Sequence, residues 1–129
     1  PGTGDTQLTF SQEIKMDGAI IVSTPQEVAL LDVKRGIKMF DKLGVKILGL
    51  VDNMSFFVGD DGKKYKIFGE GGVKKTAEEF QKDFLGEIPI NPDVGNSGDQ
   101  GKPIVESKPD HEISKIYFDF APQYYKCHQ

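Results

Sequence analysis

The chain has 129 residues, 37% hydrophobic and 28% charged, enough for one modest core and too few for several domains. Its formal net charge of −4 argues against a general nucleic-acid or anionic-membrane binder, which needs a basic footprint. The single cysteine, Cys127, excludes an intrachain disulfide and a metal or cluster site built from one chain's thiols, and no apolar run approaches the about 20 residues of a membrane span.

The chain opens on Pro1-Gly2-Thr3-Gly4-Asp5, a glycine-rich loop that reads into a helix. Such a loop belongs at the carboxyl end of a β-strand, where its backbone N–H groups can meet an anion. No strand precedes it and no Met opens the chain, so the expectation is a fragment that starts inside a domain. Ala19 to Ser23 is a continuous apolar run of the kind buried on both faces of a parallel sheet. Thr24-Pro25-Gln26-Glu27 then predicts a helix start, with Thr24 as N-cap, Pro25 at the first position and Glu27 completing a capping box. Leu30, Val33, Ile37 and Phe40 form its apolar face, and Lys42 and Gly44 close it. Val45 to Val51 is a second buried strand, which makes a right-handed βαβ unit.

After Asp52-Asn53-Met54-Ser55 the pattern changes. Phe56 to Val58 and Tyr65 to Phe68, joined by Gly59-Asp60-Asp61-Gly62, predict an inserted β-hairpin. Thr76 to Phe84 reads as a short helix with Thr76 and Glu79 as its capping box, and Leu85 to Ile90 as a third strand that ends at Pro89. Asn91 to Val105, rich in Gly, Pro, Asn and Asp, reads as loop. A last helix is expected from Pro109 to about Phe120, with Ile113, Ile116, Tyr117 and Phe120 on one face and Pro122 ending or kinking it. The fold class is α/β: the C-terminal part of a doubly wound parallel sheet with an inserted hairpin.

Ligands of open parallel sheets bind outside the carboxyl ends of the strands. Ser23-Thr24, Asp52-Asn53-Met54 and Ile88-Pro89-Ile90 fall there. Asn53 is the side chain best suited to reading a base, since its amide both donates and accepts; its alternative role is a strand cap that tolerates a left-handed turn. Gly69 to Thr76 nearly spells a phosphate loop, but Lys74 stands where glycine must precede the lysine, and a turn into a capped helix is the better reading. Cys127-His128 reads as a solvated tail, His111 as a surface residue in a first helical turn, and Asp60 and Asp61 as turn residues without calcium-loop spacing. No Ser-His-Asp or Cys-His arrangement supports nucleophilic catalysis.

Pro1-Gly2-Thr3-Gly4-Asp5, Ser23-Thr24-Pro25-Gln26, Asn53-Met54-Ser55-Phe56-Phe57, Ile67-Phe68-Gly69 and Asp99-Gln100-Gly101-Lys102-Pro103 together resemble the Mrp/ApbC family. These are deviant P-loop ATPases related to MinD and associated with iron–sulfur cluster assembly and transfer. The resemblance implies a P-loop NTPase fold, with residues 1–129 as a partial domain whose Walker A loop and Walker B aspartate lie upstream. It implies that Gly2, Thr3 and Gly4 end the switch loop facing the γ-phosphate, and that Asn53 with the backbone at Pro89 and Ile90 reads adenine. ATP and Mg²⁺ would then belong to the full-length protein, and this chain alone should be inactive as an ATPase.

An iron–sulfur cluster is expected of the family, but the hairpin carries Gly59-Asp60-Asp61-Gly62 where many relatives have Cys-x-x-Cys, so it offers no thiolate. Expected partners are a second copy and iron–sulfur client proteins, with no nucleic acid and no membrane, in the cytoplasm or an organelle matrix. Two other readings are a partitioning ATPase of the MinD/ParA type and a non-catalytic half-domain that self-associates through Ala19 to Ser23 as an open edge. The inserted hairpin, the Asp99 to Pro103 loop and the lack of a basic amphipathic C-terminal helix speak against the partitioning reading.

Overall fold

The computed structural model describes residues 17–128, with side chains through Phe120. The opening loop, with Gly2, Thr3 and Gly4, and the side chains of Cys127 and His128 lie outside the described residues. Among the described residues three parallel strands form the sheet in the order β1-β2-β5, with β1 at Ala19–Ser23, β2 at Ile47–Asn53 and β5 at Phe84–Ile88. The central β2 is buried from Ile47 through Asp52, as a parallel strand covered on both faces must be. Gly49 lies where a Cβ would come within 2.5 Å of Leu85 Cγ, so a residue without a side chain lets β2 and β5 close up.

Helix α1, Glu27–Leu43, crosses from β1 to β2 and buries Val33, Gly36 and Ile37. It starts later than the capping pattern predicts. Gln26 is the residue before the first turn, and the Thr24 hydroxyl faces the Gln26 side-chain oxygen at 3.1 Å instead of capping the helix. The expected end is present: Gly44 takes a left-handed φ of 72° and donates to Asp41 O. The expectation that β1 is buried on both faces fails. Ile20 is 41% exposed and Val22 57%, because β1 is the edge of the described sheet and only the face bearing Ile21 packs on α1.

The hairpin is present as β3, Phe57–Val58, paired antiparallel with β4, Lys64–Tyr65. Ile67 and Phe68, expected in its second arm, fall outside it. Helix α2 runs Gly72–Glu79, four residues ahead of the expected helix. Thr76 is therefore an interior residue and not a cap; its hydroxyl donates back to Gly72 O at 2.8 Å. Val73 and Ala77 decide the placement, since both are buried against Val33, Ile37, Ile47 and Leu50 on the first face of the sheet.

Residues 91–105 are not the loop they were expected to be. Asn91 caps helix α3, Pro92–Asp99, by accepting the Asp93 N–H at 2.9 Å, and Pro92 sits at its first turn. The Asp99 to Pro103 stretch acquires a physical role as the stop of that helix. Gly101 adopts a φ of 70° and Lys102 N–H reaches back to Ser97 O at 2.9 Å. Helix α4, Ile104–Ser107, follows at once.

The last helix, α5, spans Glu112–His128; it begins after Pro109 and its backbone continues through Pro122 rather than ending there. Ile113, with Ile104, Val51, Leu85 and Ile88, makes the core of the second face, and Ile116 and Phe120 pack against it. Tyr117, expected on that inner face, is 38% exposed and meets Phe120 edge-on. With α1 and α2 on one face and α4 and α5 on the other, the described residues are a doubly wound α/β layer structure.

Candidate functional site

The strands converge at their carboxyl ends on Ser23, Asp52, Asn53 and Ile88. Register places Ser23 beside Asp52 and Asn53 beside Ile88. Leu50 packs toward α1 and α2 and Val51 toward α4 and α5, so alternation puts Asp52 on the first face and Asn53 on the second. Among the described residues no side-chain hydrogen bond engages Asn53. Its half-buried amide keeps both donor and acceptor for a ligand. The left-handed residue at this bend is not Asn53 but Met54, at φ 53° and 38% exposed, a strained conformation for an unbranched apolar residue.

Beyond the strand ends the chain is stitched by backbone bonds. Ser55 N–H donates to Ile88 O at 3.0 Å and Ile90 N–H to Phe56 O at 2.7 Å. The Ile90 N–H is thus already used, and the segment's remaining offer to a ligand is its carbonyl edge. Pro89 and Ile90 line a cavity of about 510 Å³ with Phe56, Phe57, Lys64 and Ile116. Asn53 is not in that lining. The structure therefore brings Asn53 next to the β5 exit, while Pro89 and Ile90 also face a separate cleft under the hairpin.

Asp52 falls in a strand-end segment that the sequence singles out, but the sequence reading gives it no role of its own. It is 1% exposed, and one of its carboxylate oxygens, Oδ1, has no hydrogen-bond partner. Burial pushes its carboxyl up to about 6, helped by the neighbouring Glu87 carboxylate and opposed by a hydrogen bond from Ser55 and the charge of Lys66. The available signal was an acid directly continuing the apolar run Val45 to Val51, which is a charge at the end of a buried strand.

The near-phosphate-loop Gly69 to Thr76 is a packing turn. Gly69 and Gly71 have φ of 130° and 71°, and Cβ atoms at Gly69 and Gly72 would stand 3.0 Å from Pro25 O and 2.6 Å from Leu30 Cδ1. These glycines let the turn close onto the start of α1. Helix α2 follows without a side-chain cap.

His111 departs from its expected surface role. Its side chain is 16% exposed, Nε2 lies 3.0 Å from Asp93 Oδ2, and Nδ1 accepts the Ile113 N–H at 3.1 Å, so it caps α5 and links it to α3. Asp61 behaves as a turn residue, accepting from Lys63 N–H and the Tyr65 hydroxyl. Among the described residues no three His, Cys, Asp or Glu side chains are grouped to hold a metal ion, and no helix is long and apolar enough to cross a membrane.

The family model for ParA-group, NUBPL iron-transfer P-loop NTPases matches residues 1–124. The chain belongs to that family. An Arabidopsis thaliana iron–sulfur protein required for NADH dehydrogenase, mitochondrial, is 49% identical over 94% of this chain and 39% of its own length. The Aquifex aeolicus iron–sulfur cluster carrier protein is 44% identical over 94% of this chain and 34% of its own. The Dictyostelium discoideum iron–sulfur cluster transfer protein NUBPL is 46% identical over 98% of this chain and 39% of its own. This NUBPL-family chain thus spans between a third and two-fifths of these relatives.

Among solved structures, an Archaeoglobus fulgidus nucleotide-binding protein in complex with ADP superposes with a TM-score of 0.72 at 39% identity, over 85% of this chain and 45% of its own. The cell-division ATPase MinD of Pyrococcus furiosus superposes at 0.65 with 23% identity, over 85% of this chain and 43% of its own, which speaks for the shared P-loop NTPase fold alone. The resemblance to Mrp/ApbC proteins and the α/β fold class both hold.

Proposed function

We propose that this chain is the base-reading and switch-bearing portion of an ATP-dependent iron–sulfur cluster carrier, with Asn53 reading the adenine edge. The observation that carries this is an Asn amide with no partner among the described residues, set beside the β5 exit at the carboxyl end of the sheet. Supporting it, the Archaeoglobus fulgidus relative is a nucleotide-binding protein in complex with ADP. In this reading the carbonyl edge at Pro89 and Ile90 completes base recognition. Gly2, Thr3 and Gly4 approach the γ-phosphate, and Mg²⁺ and the triphosphate are held by a Walker loop outside this sequence.

The cluster is cargo and passes to client iron–sulfur proteins, in the cytoplasm or an organelle matrix, without nucleic acid or membrane. One cysteine cannot supply a thiolate set, so any cluster ligands must come from a second copy or from residues beyond this sequence.

Titration calorimetry tests the reading. The chain as it stands should bind ATP–Mg²⁺ no tighter than about 1 mM. A polypeptide extended upstream to the length of its relatives should bind, and Asn53→Ala in it should reduce discrimination between ATP and GTP. Unchanged discrimination would remove Asn53 from the site.

A second reading is favoured by one observation. Among the described residues β1 is an edge strand that exposes Ile20 and Val22 beside a cavity of about 430 Å³ against α1, a surface suited to self-association of this chain as a non-catalytic module.

A further inference from the structure

Asp52 is unused by the base-reading proposal, and its surroundings are unusual for a core. It is an acid on the central strand, and in the parallel register its neighbour on β5 is another acid, Glu87. On the β1 side its neighbour is the uncharged Ser23, whose hydroxyl donates to Thr24 O instead. Ser55 supplies one hydrogen bond, which leaves Oδ1 buried and unpartnered. The cation facing this pair is Lys66, which follows β4 directly and holds Glu87 at 3.7 Å.

Beyond the main-chain bonds at its entry, the hairpin that Lys66 ends has little to anchor it. Its strands have two residues each and all four are exposed. Lys66 and Lys64 both stand over the Phe56 ring, at 6.0 and 4.6 Å, so the ring steers the lysines without neutralising them.

We propose that Asp52 is a proton-operated tether for the β3–β4 hairpin. With a proton, Asp52 leaves Lys66 to Glu87 alone; without one, it adds a buried carboxylate to the half-exposed Glu87, and this draws Lys66, and the hairpin exit with it, onto the sheet. Among the described residues, the charged groups that face Asp52 are Glu87 from β5 and Lys66 from the hairpin, and the tether depends on both. Two carboxylates and one ammonium bear a net charge of −1 when Asp52 is ionised and zero once it is protonated, so one proton decides whether the charge of Lys66 is exceeded or just balanced. The carboxyl value near 6 places this change within the range a cell compartment spans.

Two effects of ionisation then run in opposite directions. The desolvated charge lowers the stability of the whole fold as pH rises, whereas the hairpin becomes better ordered. A merely destabilising acid would loosen both together.

Nuclear magnetic resonance on this chain separates them. Order parameters of the Lys66 side-chain Cε–Hε bonds and of the 59–66 amides are measured between pH 4.5 and 8, with the Asp52 carboxyl carbon followed in the same samples. Hairpin order is expected to rise with the midpoint of Asp52 and to become flat in Asp52→Asn. In Lys66→Met the Asp52 carboxyl should still titrate, at a higher pH, while the amides lose their midpoint. A hairpin midpoint that survives in Asp52→Asn, or order that falls as Asp52 ionises, overturns the tether. Because no nucleotide is present, these outcomes are independent of whether Asn53 reads a base.

Discussion

Replacing Asp52 by Asn should change the pH dependence of stability more than stability itself. The carboxyl titrates near 6 when folded and at an ordinary 3.8 when unfolded. A folded value raised above the unfolded one means that the favourable contribution is complete below 3.8 and lost as pH rises through about 6. At about 1.4 kcal/mol per unit the full interval amounts to about 3 kcal/mol, of which about 2.4 kcal/mol falls between pH 4 and pH 8, since the unfolded carboxyl is already more than half ionised at pH 4. Asn has nearly the same shape and still accepts from Ser55, but it brings amide N–H groups to the place where Oδ1 has no partner, at a cost of about 1–2 kcal/mol.

That cost is independent of pH, so it cancels in the difference between the two profiles. Asp52→Asn should therefore be the less stable protein at pH 4 and the more stable at pH 8, with a crossing in between. Urea unfolding of both proteins at unit pH steps, with m checked for constancy, gives the two curves. Parallel curves, separated by a constant offset, would refute the claim that Asp52 carries a burial cost in the folded state.

Two other substitutions probe the sheet. Gly49→Ala forces a Cβ to within 2.5 Å of Leu85 Cγ in the middle of the sheet, and should cost about 1–3 kcal/mol in thermal unfolding; Leu85→Val in the same protein should recover part of the loss. Val22→Lys, on the exposed β1 edge, should leave stability within about 0.5 kcal/mol but abolish the self-association expected of this chain at high concentration, as read by light scattering after size exclusion.

Much of the layer architecture is readable from the chain because its parallel strands are apolar runs and α1 has a regular apolar face. Ala19 to Ser23 appears as β1 with its expected bounds, and Val33, Ile37 and Gly44 behave as their spacing requires. Helix starts are less readable, since the same residues that cap can do other work. Thr24 faces Gln26 and Thr76 bonds back to Gly72, although both sit in sequences that look like caps. The opposite error hides α3. Gly95 and Gly98 make it a poor helix in isolation, and Asn91 with Pro92 supplies the start that composition obscures.

At the candidate site, Asn53 and the β5 exit are visible as the polar ends of apolar strands. Asp52 is not, because its importance lies in what fails to contact it. An acid becomes a buried acid only when β1 and β5 close on both sides; the apolar run before it hints at burial, but local sequence does not show which partners it will lack. Likewise, His111 reads as one more polar residue among charges until α3 brings Asp93 to it.

The two ends of the hairpin are fastened by different means. Its entry, Ser55 and Phe56, is held to the β5 exit by main-chain bonds that any residue other than proline could donate. Its return, at Lys66, is held by a side-chain pair with Glu87. Between such fastenings the hairpin resembles an exchangeable cassette. Substitutions from Phe57 to Tyr65 can alter what it presents while the sheet beneath keeps its register, whereas losing Lys66 changes how the cassette is seated without altering what it displays.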